Sequence, residues 1–463
     1  MLAVPAFAAV ELAVDFSQTN GLIRPLHGVN MGPLCYRGMV DLSAYHRELG
    51  VPSTRLHDVV WVNAEAVDIH TIFRDFRNDP ALAESYDFRQ TDDYVQSIID
   101  VGSQIVYRLG ESIEHTPHKY HVHPPPDAEK WAAICVGIIR HYNEGWASGF
   151  HHHIRYWEIW NEPDVRPAMW TGTEGQYLHL YEVTAKAIKA RFPEVKVGGP
   201  ALGHSGDFKG ESFRASAFLT NFLAHCQTSG APLDFYSWHR YTKNPADFAR
   251  WARGVRGVLD AAGFAHAESH LNEWNYLPNG DWGPMMKEGA GRRREKWFAE
   301  LSGPAGAAFA AWTLISLQDA PVDVANYYTG EIQGFGLFNF HGVPNKSFYA
   351  FKAFKRLLET PIRVTVRNDS SAQLAICAGM NRDQSEAGIL ISNFDSAEEQ
   401  VGLTIHGLPW EGKIVCESYA VDARRDLARV QEITQSASEC RLALALKAPS
   451  VCLVKLGKAP VGK

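Results

Sequence analysis

The chain has no close cysteine pairs. Its seven cysteines, at positions 35, 135, 226, 377, 416, 440 and 452, are odd in number and never fewer than 12 apart, which leaves no CxxC zinc or redox motif. They read as small apolar core residues, and their spacing neither requires an oxidising compartment nor rules one out. Positive charge is also short: 45 Lys and Arg against 52 Asp and Glu give a formal net charge of −7, with no basic stripe for a phosphate backbone. Nucleic acid is therefore not an expected partner. No apolar run approaches the roughly 18 residues of a bilayer-spanning helix, so no membrane partner is expected either. Low-complexity segments are absent. The opening MLAVPAFAAVELAV has an AFA step like a signal-peptidase site but lacks a basic leader and a full apolar stretch. It reads equally as a trimmed export signal or as a first strand, which leaves cytoplasm and periplasm both open. Oligomeric state is not readable from the sequence.

What is present is enough apolar material for a large core, 46% of 463 residues. Short apolar runs alternate with longer amphipathic ones across residues 19–358, the pattern of repeated βα units. Eight strands are expected: LHGVN (26–30), STRLHD (53–58), QIVYRL (104–109), YWEIWNE (156–162), KVGGPA (196–201), FYSWHRY (235–241), HLNEWN (270–275) and AAFAAWTLI (307–315). Helical stretches such as AEKWAAICVGIIRHYNEG separate them. The fold class that follows is α/β, a (β/α)₈ TIM barrel with chemistry on the loops after the strands' C-terminal ends. From residue 359 to 463 short alternating runs such as AGILISNF and CRLALALKAP predict an accessory all-β sandwich domain. Residues 1–18 are expected to lend it one strand.

The polar residues Arg55, His57, Asp58, Asn161, Glu162, His239, Tyr241, Glu273 and Asn275 all fall late in, or just after, an expected strand. In YWEIWNEPD, period two places Glu158, Trp160 and Glu162 on one face of the strand. Pro163 has no N–H for a ladder, so the strand stops with Glu162 at its tip. Glu273 lies near the end of the seventh strand, across the barrel mouth. Two opposed carboxylates are what glycosidic bond cleavage needs, one to protonate the leaving oxygen and one to attack, or to activate water against, the anomeric carbon. Tryptophans 61, 160, 170, 274, 282 and 312 stand near strand ends, where indoles suit apolar sugar faces.

WEIWNEPD on strand four, LNEWN on strand seven, SWHRY on strand six and the segment from GFGLFN to YAFKAFKRL resemble glycoside hydrolase family 39, which includes β-xylosidases and α-L-iduronidases. The resemblance spans most of the chain. It implies a retaining glycosidase, with Glu162 as general acid/base and Glu273 as nucleophile. It also implies sugar-contacting or nucleophile-supporting roles for His57, Asn161, His239 and Tyr241, to which the strand-end position adds Trp312 as a substrate contact and Arg55 as a support for Glu273. The expected substrate is a small oligosaccharide or aryl glycoside, most simply a xylo-oligosaccharide cut by an exo-acting β-D-xylosidase, with no cofactor. Arg55 and Tyr241 should favour an ionised Glu273, while burial and the negative nucleophile should raise the pKa of Glu162.

Three features depart from the pattern. The acidic residue that the family carries soon after its last barrel tryptophan is delayed here to Asp319. Iduronidase-like sequences carry lysine where this chain has Tyr241, which disfavours a uronate unless Arg240 or Lys243 substitutes. The loop ESIEHTPHKYHVHPPP and the HHH at 151–153 are rich in histidine but lack ligand spacing, so no metal is expected. A uronide- or polysaccharide-cleaving hydrolase of the same chemistry, and a carbohydrate-binding pseudoenzyme, are the competing readings.

Overall fold

A computed structural model describes residues 10–35, 39–59, 65–286, 289–368 and 374–459. Eight parallel strands close into a barrel: Gly28–Asn30, Ser53–Leu56, Gln104–Leu109, Tyr156–Ile159, Lys196–Leu202, Phe235–Thr242, Glu268–Tyr276 and Val324–Tyr327. Helices follow the strands, and several begin at residues suited to a helix start. Thr173 and Gln176 form a reciprocal capping box at the head of Glu174–Arg191, and Asp127 accepts the Lys130 N–H at the head of Ala128–Glu144. The second of these ends at Gly145, whose φ of 75° suits a residue without a side chain. Among the described residues no helix is long and apolar enough to cross a membrane.

The eighth barrel strand is not where the sequence pattern puts it. AAFAAWTLI lies within a helix, Pro304–Ser316, and the strand that closes the barrel is Val324–Tyr327. An unbroken apolar run does not distinguish a buried helix from a buried strand by periodicity. Here alanine, the best helix former, and proline in the first turn decide for the helix. Its burial on nearly every side comes from its place between the barrel and the second sheet, where the Ser392 hydroxyl donates to the Ala308 carbonyl.

Apart from two short two-stranded ribbons, Leu34–Cys35 with Val40–Asp41 and Gly206–Lys209 with Ser212–Ala215, the other described strands build one nine-stranded sheet, in which Val10–Leu22 lies between Ile362–Asn368, antiparallel to it, and Gln400–His406, parallel to it. Strands Lys413–Val421 and Cys440–Ala445 sit near opposite ends of that order, yet the Sγ atoms of Cys416 and Cys440 are 3.7 Å apart. The sheet is therefore folded over on itself, and residues from both ends share one apolar core. All seven cysteines are buried as free thiols.

Candidate active site

The fourth strand ends at Ile159, three residues before the acid that it presents. Trp160 and Glu162 then take left-handed backbone angles, φ 71° and 44°, so strand alternation does not continue to Glu162. Non-glycine residues hold such angles only where the surroundings fix them. Trp160 N–H donates to the Leu109 carbonyl at 2.7 Å, and Glu162 N–H to that of Ala201 at 3.0 Å. The turn is thus pinned to both neighbouring strands.

The seventh strand solves a different problem. Period two would send Asn272 and Glu273 to opposite faces, but an extra residue in the pairing with the sixth strand lets both reach partners inside the barrel. Asn272 donates to Glu158, while Glu273 comes opposite His239. The Tyr241 hydroxyl donates to Glu273 Oε1 at 2.6 Å.

Arg55 ties these parts together from beneath. Its guanidinium is fully buried and donates to Glu158 at 2.7 Å, to Asn161 Oδ1 at 2.6 Å, to Asn30 at 3.1 Å and to Glu273 Oε2 at 3.4 Å. Glu158 carries the compensating charge, and the Arg55 guanidinium holds its carboxyl below the usual range against the opposing effect of burial. Asn161 keeps one amide nitrogen buried with no protein partner.

His239 Nδ1 lies 2.7 Å from Glu162 Oε1 and 3.6 Å from Glu273 Oε2, and one oxygen of each carboxylate and the imidazole nitrogen all lie within 4.8 Å of one another. Burial, reinforced by the adjacent Asp164 carboxylate, pushes Glu162 up to about 8. Burial depresses His239 to about 4 despite the Glu273 charge, so the ring is neutral at neutral pH. The assignment that satisfies the pair has Nδ1–H donating to Glu162 Oε1, which leaves the acid's other oxygen to carry its proton. Tyr241 is held well above the ordinary phenol range by burial and by Glu273, and so remains a donor.

These groups open into a cavity of about 1000 Å³ that is also lined by His57, Asp58, Asp164, Arg240 and Tyr328. His57 Nε2 is 3.1 Å from Asp58 Oδ2, and the Tyr328 hydroxyl donates to the same carboxylate at 3.3 Å. Burial alone would raise Asp58, but the His57 ring outweighs it and holds the carboxyl below its usual range.

Of the residues expected from the sequence, Arg55, His57, Asn161, Glu162, His239, Tyr241 and Glu273 come together here. Trp312 does not. It sits in the Pro304–Ser316 helix, packed against the core, and is not among the residues lining the cavity. Trp160, Trp170 and Trp274 are core residues, Trp61 lies outside the described residues, and Trp282 lines the cavity. Asp319 forms a two-pronged ion pair with Arg363. In the histidine-rich loop His115 reaches the cavity, whereas His121 stacks at 3.6 Å on His70, which is clamped by Glu111 at 2.5 Å and Glu65 at 3.1 Å. His151, His152 and His153 precede the fourth strand, at the other end of the barrel.

Sequence reasoning missed Asp164, Tyr328 and the role of Glu158. Glu158 shares the inward face of its strand, a signal that was available. Tyr328 directly follows the true eighth strand, so misplacing that strand hid it.

Residues 33–251 match the protein family described as Glycosyl hydrolases family 39. A curated β-xylosidase of Caldicellulosiruptor saccharolyticus is 26% identical over 386 residues, 75% of this chain and 70% of its own length. Another, of Geobacillus stearothermophilus, is 26% identical over 62% of this chain, and the match spans 59% of that protein. Among solved structures, a glucosidase from Croceicoccus marinus superposes with a TM-score of 0.81 at 24% identity, covering 97% of this chain and 99% of the other. At that identity the likeness speaks for the fold.

Proposed function

We propose that the chain is a family 39 glycoside hydrolase, as the match over residues 33–251 and the β-xylosidase relatives support, and that it acts as a retaining, exo-acting β-D-xylosidase in which Glu273 is the nucleophile and Glu162 the general acid/base. The observation that carries this reading is the close approach of the two carboxylates, with an oxygen of each within 4.8 Å. Retaining enzymes hold their carboxyl groups about 5 to 5.5 Å apart, whereas inverting ones leave room for a water at about 6.5 to 9.5 Å.

In the first step Glu273 attacks the anomeric carbon as the bond to the leaving oxygen breaks, and the Glu162 proton passes to that oxygen. Ionised Glu162 then takes a proton from water, which attacks the anomeric carbon and frees Glu273 with the configuration restored. Tyr241 and Arg55 hold the nucleophile's two oxygens in place. Asn161, with a free buried amide N–H, suits the 2-hydroxyl role that the family resemblance implies.

Two contacts favour a neutral sugar over a uronate. Tyr241, at the position of the iduronidase-type lysine, is engaged with the nucleophile. The Arg240 guanidinium stacks on Trp251 at 3.8 Å and faces Asp247 at 4.0 Å, so part of its charge is already compensated within the protein. A panel of nitrophenyl glycosides tests the reading. β-D-xylopyranoside should give the highest kcat/KM, α-L-arabinopyranoside should follow weakly, and β-D-glucopyranoside and iduronide should be poor. A preferred uronide, or cleavage of long internal chains only, overturns the xylosidase assignment.

A further inference from the structure

The cavity is polar at its floor, and its mouth carries a cluster of apolar side chains beside His115 and His204. Ten large apolar side chains are exposed among the described residues, and three of them, Trp282, Met285 and Met286, fall within five positions at this mouth. Exposure rises outward, from 7% at Glu273 to 40% at Trp282 and 55% at Met286. Ile113 and Val165 line the same cavity. The Trp282 ring is held edge-on to Tyr241 at 5.0 Å, beside the residue that supports the nucleophile.

Resting on the glycosidase reading, we propose that the leaving-group subsite is built for an apolar aglycone, an alkyl or aromatic alcohol, in preference to a second sugar. The anomeric carbon must lie between the two carboxylates, so in an exo-acting enzyme the part of the substrate that extends outward to the mouth is the leaving group. One pentose leaves much of a 1000 Å³ cavity for that group. A second sugar would bring hydroxyls that need partners, and methionine thioethers are poor ones. Several of the polar groups at the mouth are already engaged within the protein, His115 being the exposed exception. Asp164 accepts from the N–H groups of Gly203 and His204, His204 pairs with Asp207 at 3.3 Å, and Arg240 lies over Trp251. Methionine side chains adapt to apolar groups of varied shape.

The test compares methyl and octyl β-glycosides, and the disaccharide, of whichever sugar the nitrophenyl panel selects. The two alkyl alcohols are nearly equal as leaving groups, so their difference reads contact. Octyl should exceed methyl in kcat/KM by about tenfold or more, since buried methylenes add favourably, and should also exceed the disaccharide. Met286→Ser should shrink the octyl-to-methyl ratio. Trp282→Ala should shrink it further; a purely structural role for the indole would lower both substrates together. A ratio within twofold of one, a ratio unchanged in Met286→Ser, or a preferred disaccharide overturns the proposal while leaving the glycosidase reading intact. Absence of turnover on every substrate, activated aryl glycosides included, sinks the underlying reading instead.

Discussion

His239 lies between the two carboxylates, its Nδ1 2.7 Å from Oε1 of Glu162, with the imidazole depressed by burial and the acid raised. The pair therefore holds one transferable proton on Glu162 at neutral pH. Because the acid must be protonated for glycosylation, kcat/KM on a poor leaving group should fall as pH rises through about 8. Removing the neighbouring negative charge in Asp164→Asn should move that basic limb to lower pH. A pH profile of kcat/KM for both proteins decides; a limb that stays in place or moves up contradicts the stated cause.

The two glutamates should fail differently. Glu273→Ala is expected to lose turnover of every substrate, with azide partly restoring it through a glycosyl azide of inverted configuration. Glu162→Ala should still be glycosylated by a dinitrophenyl glycoside, whose leaving group needs little help from an acid. Equal loss on good and poor leaving groups in Glu162→Ala means that the acid has been misassigned.

Arg55 compensates two buried carboxylates, Glu158 and Glu273. Arg55→Met should cost about 3 to 5 kcal/mol of stability, the penalty for stranding a buried charge. Chemical denaturation measures it. A loss under about 1 kcal/mol, typical of exposed ion pairs, contradicts the structural part of this assignment.

Trp312 provides the converse test. Placed in a helix behind the barrel, it should tolerate Trp312→Phe with KM for the preferred glycoside unchanged within about twofold, at a stability cost of about 1 kcal/mol. A KM raised tenfold or more returns it to the sugar pocket.

The error over Trp312 shows where sequence stopped being informative. Seven barrel strands carry turn residues or β-branched and aromatic residues that mark them, whereas Val324–Tyr327 is four residues long and is preceded by a more apolar helix. Length and apolarity favoured the wrong segment. Glu162 and Glu273 were legible because Pro163 and late positions on the expected strands announce them, and Arg55 because it too falls late in a strand. The tuning of Glu162 was legible only in direction: the extra negative charge comes foremost from Asp164, two positions along, brought beside it by the left-handed turn at Glu162. No periodic pattern encodes that turn, nor the extra residue that turns both Asn272 and Glu273 inward.

The central claim is double displacement between Glu162 and Glu273. Proton NMR of the first sugar released from a β-glycoside, recorded before mutarotation equilibrates it, tests it most directly. The account predicts the β-anomer first, decaying toward the equilibrium mixture. Initial appearance of the α-anomer contradicts it and removes Glu273 as the nucleophile.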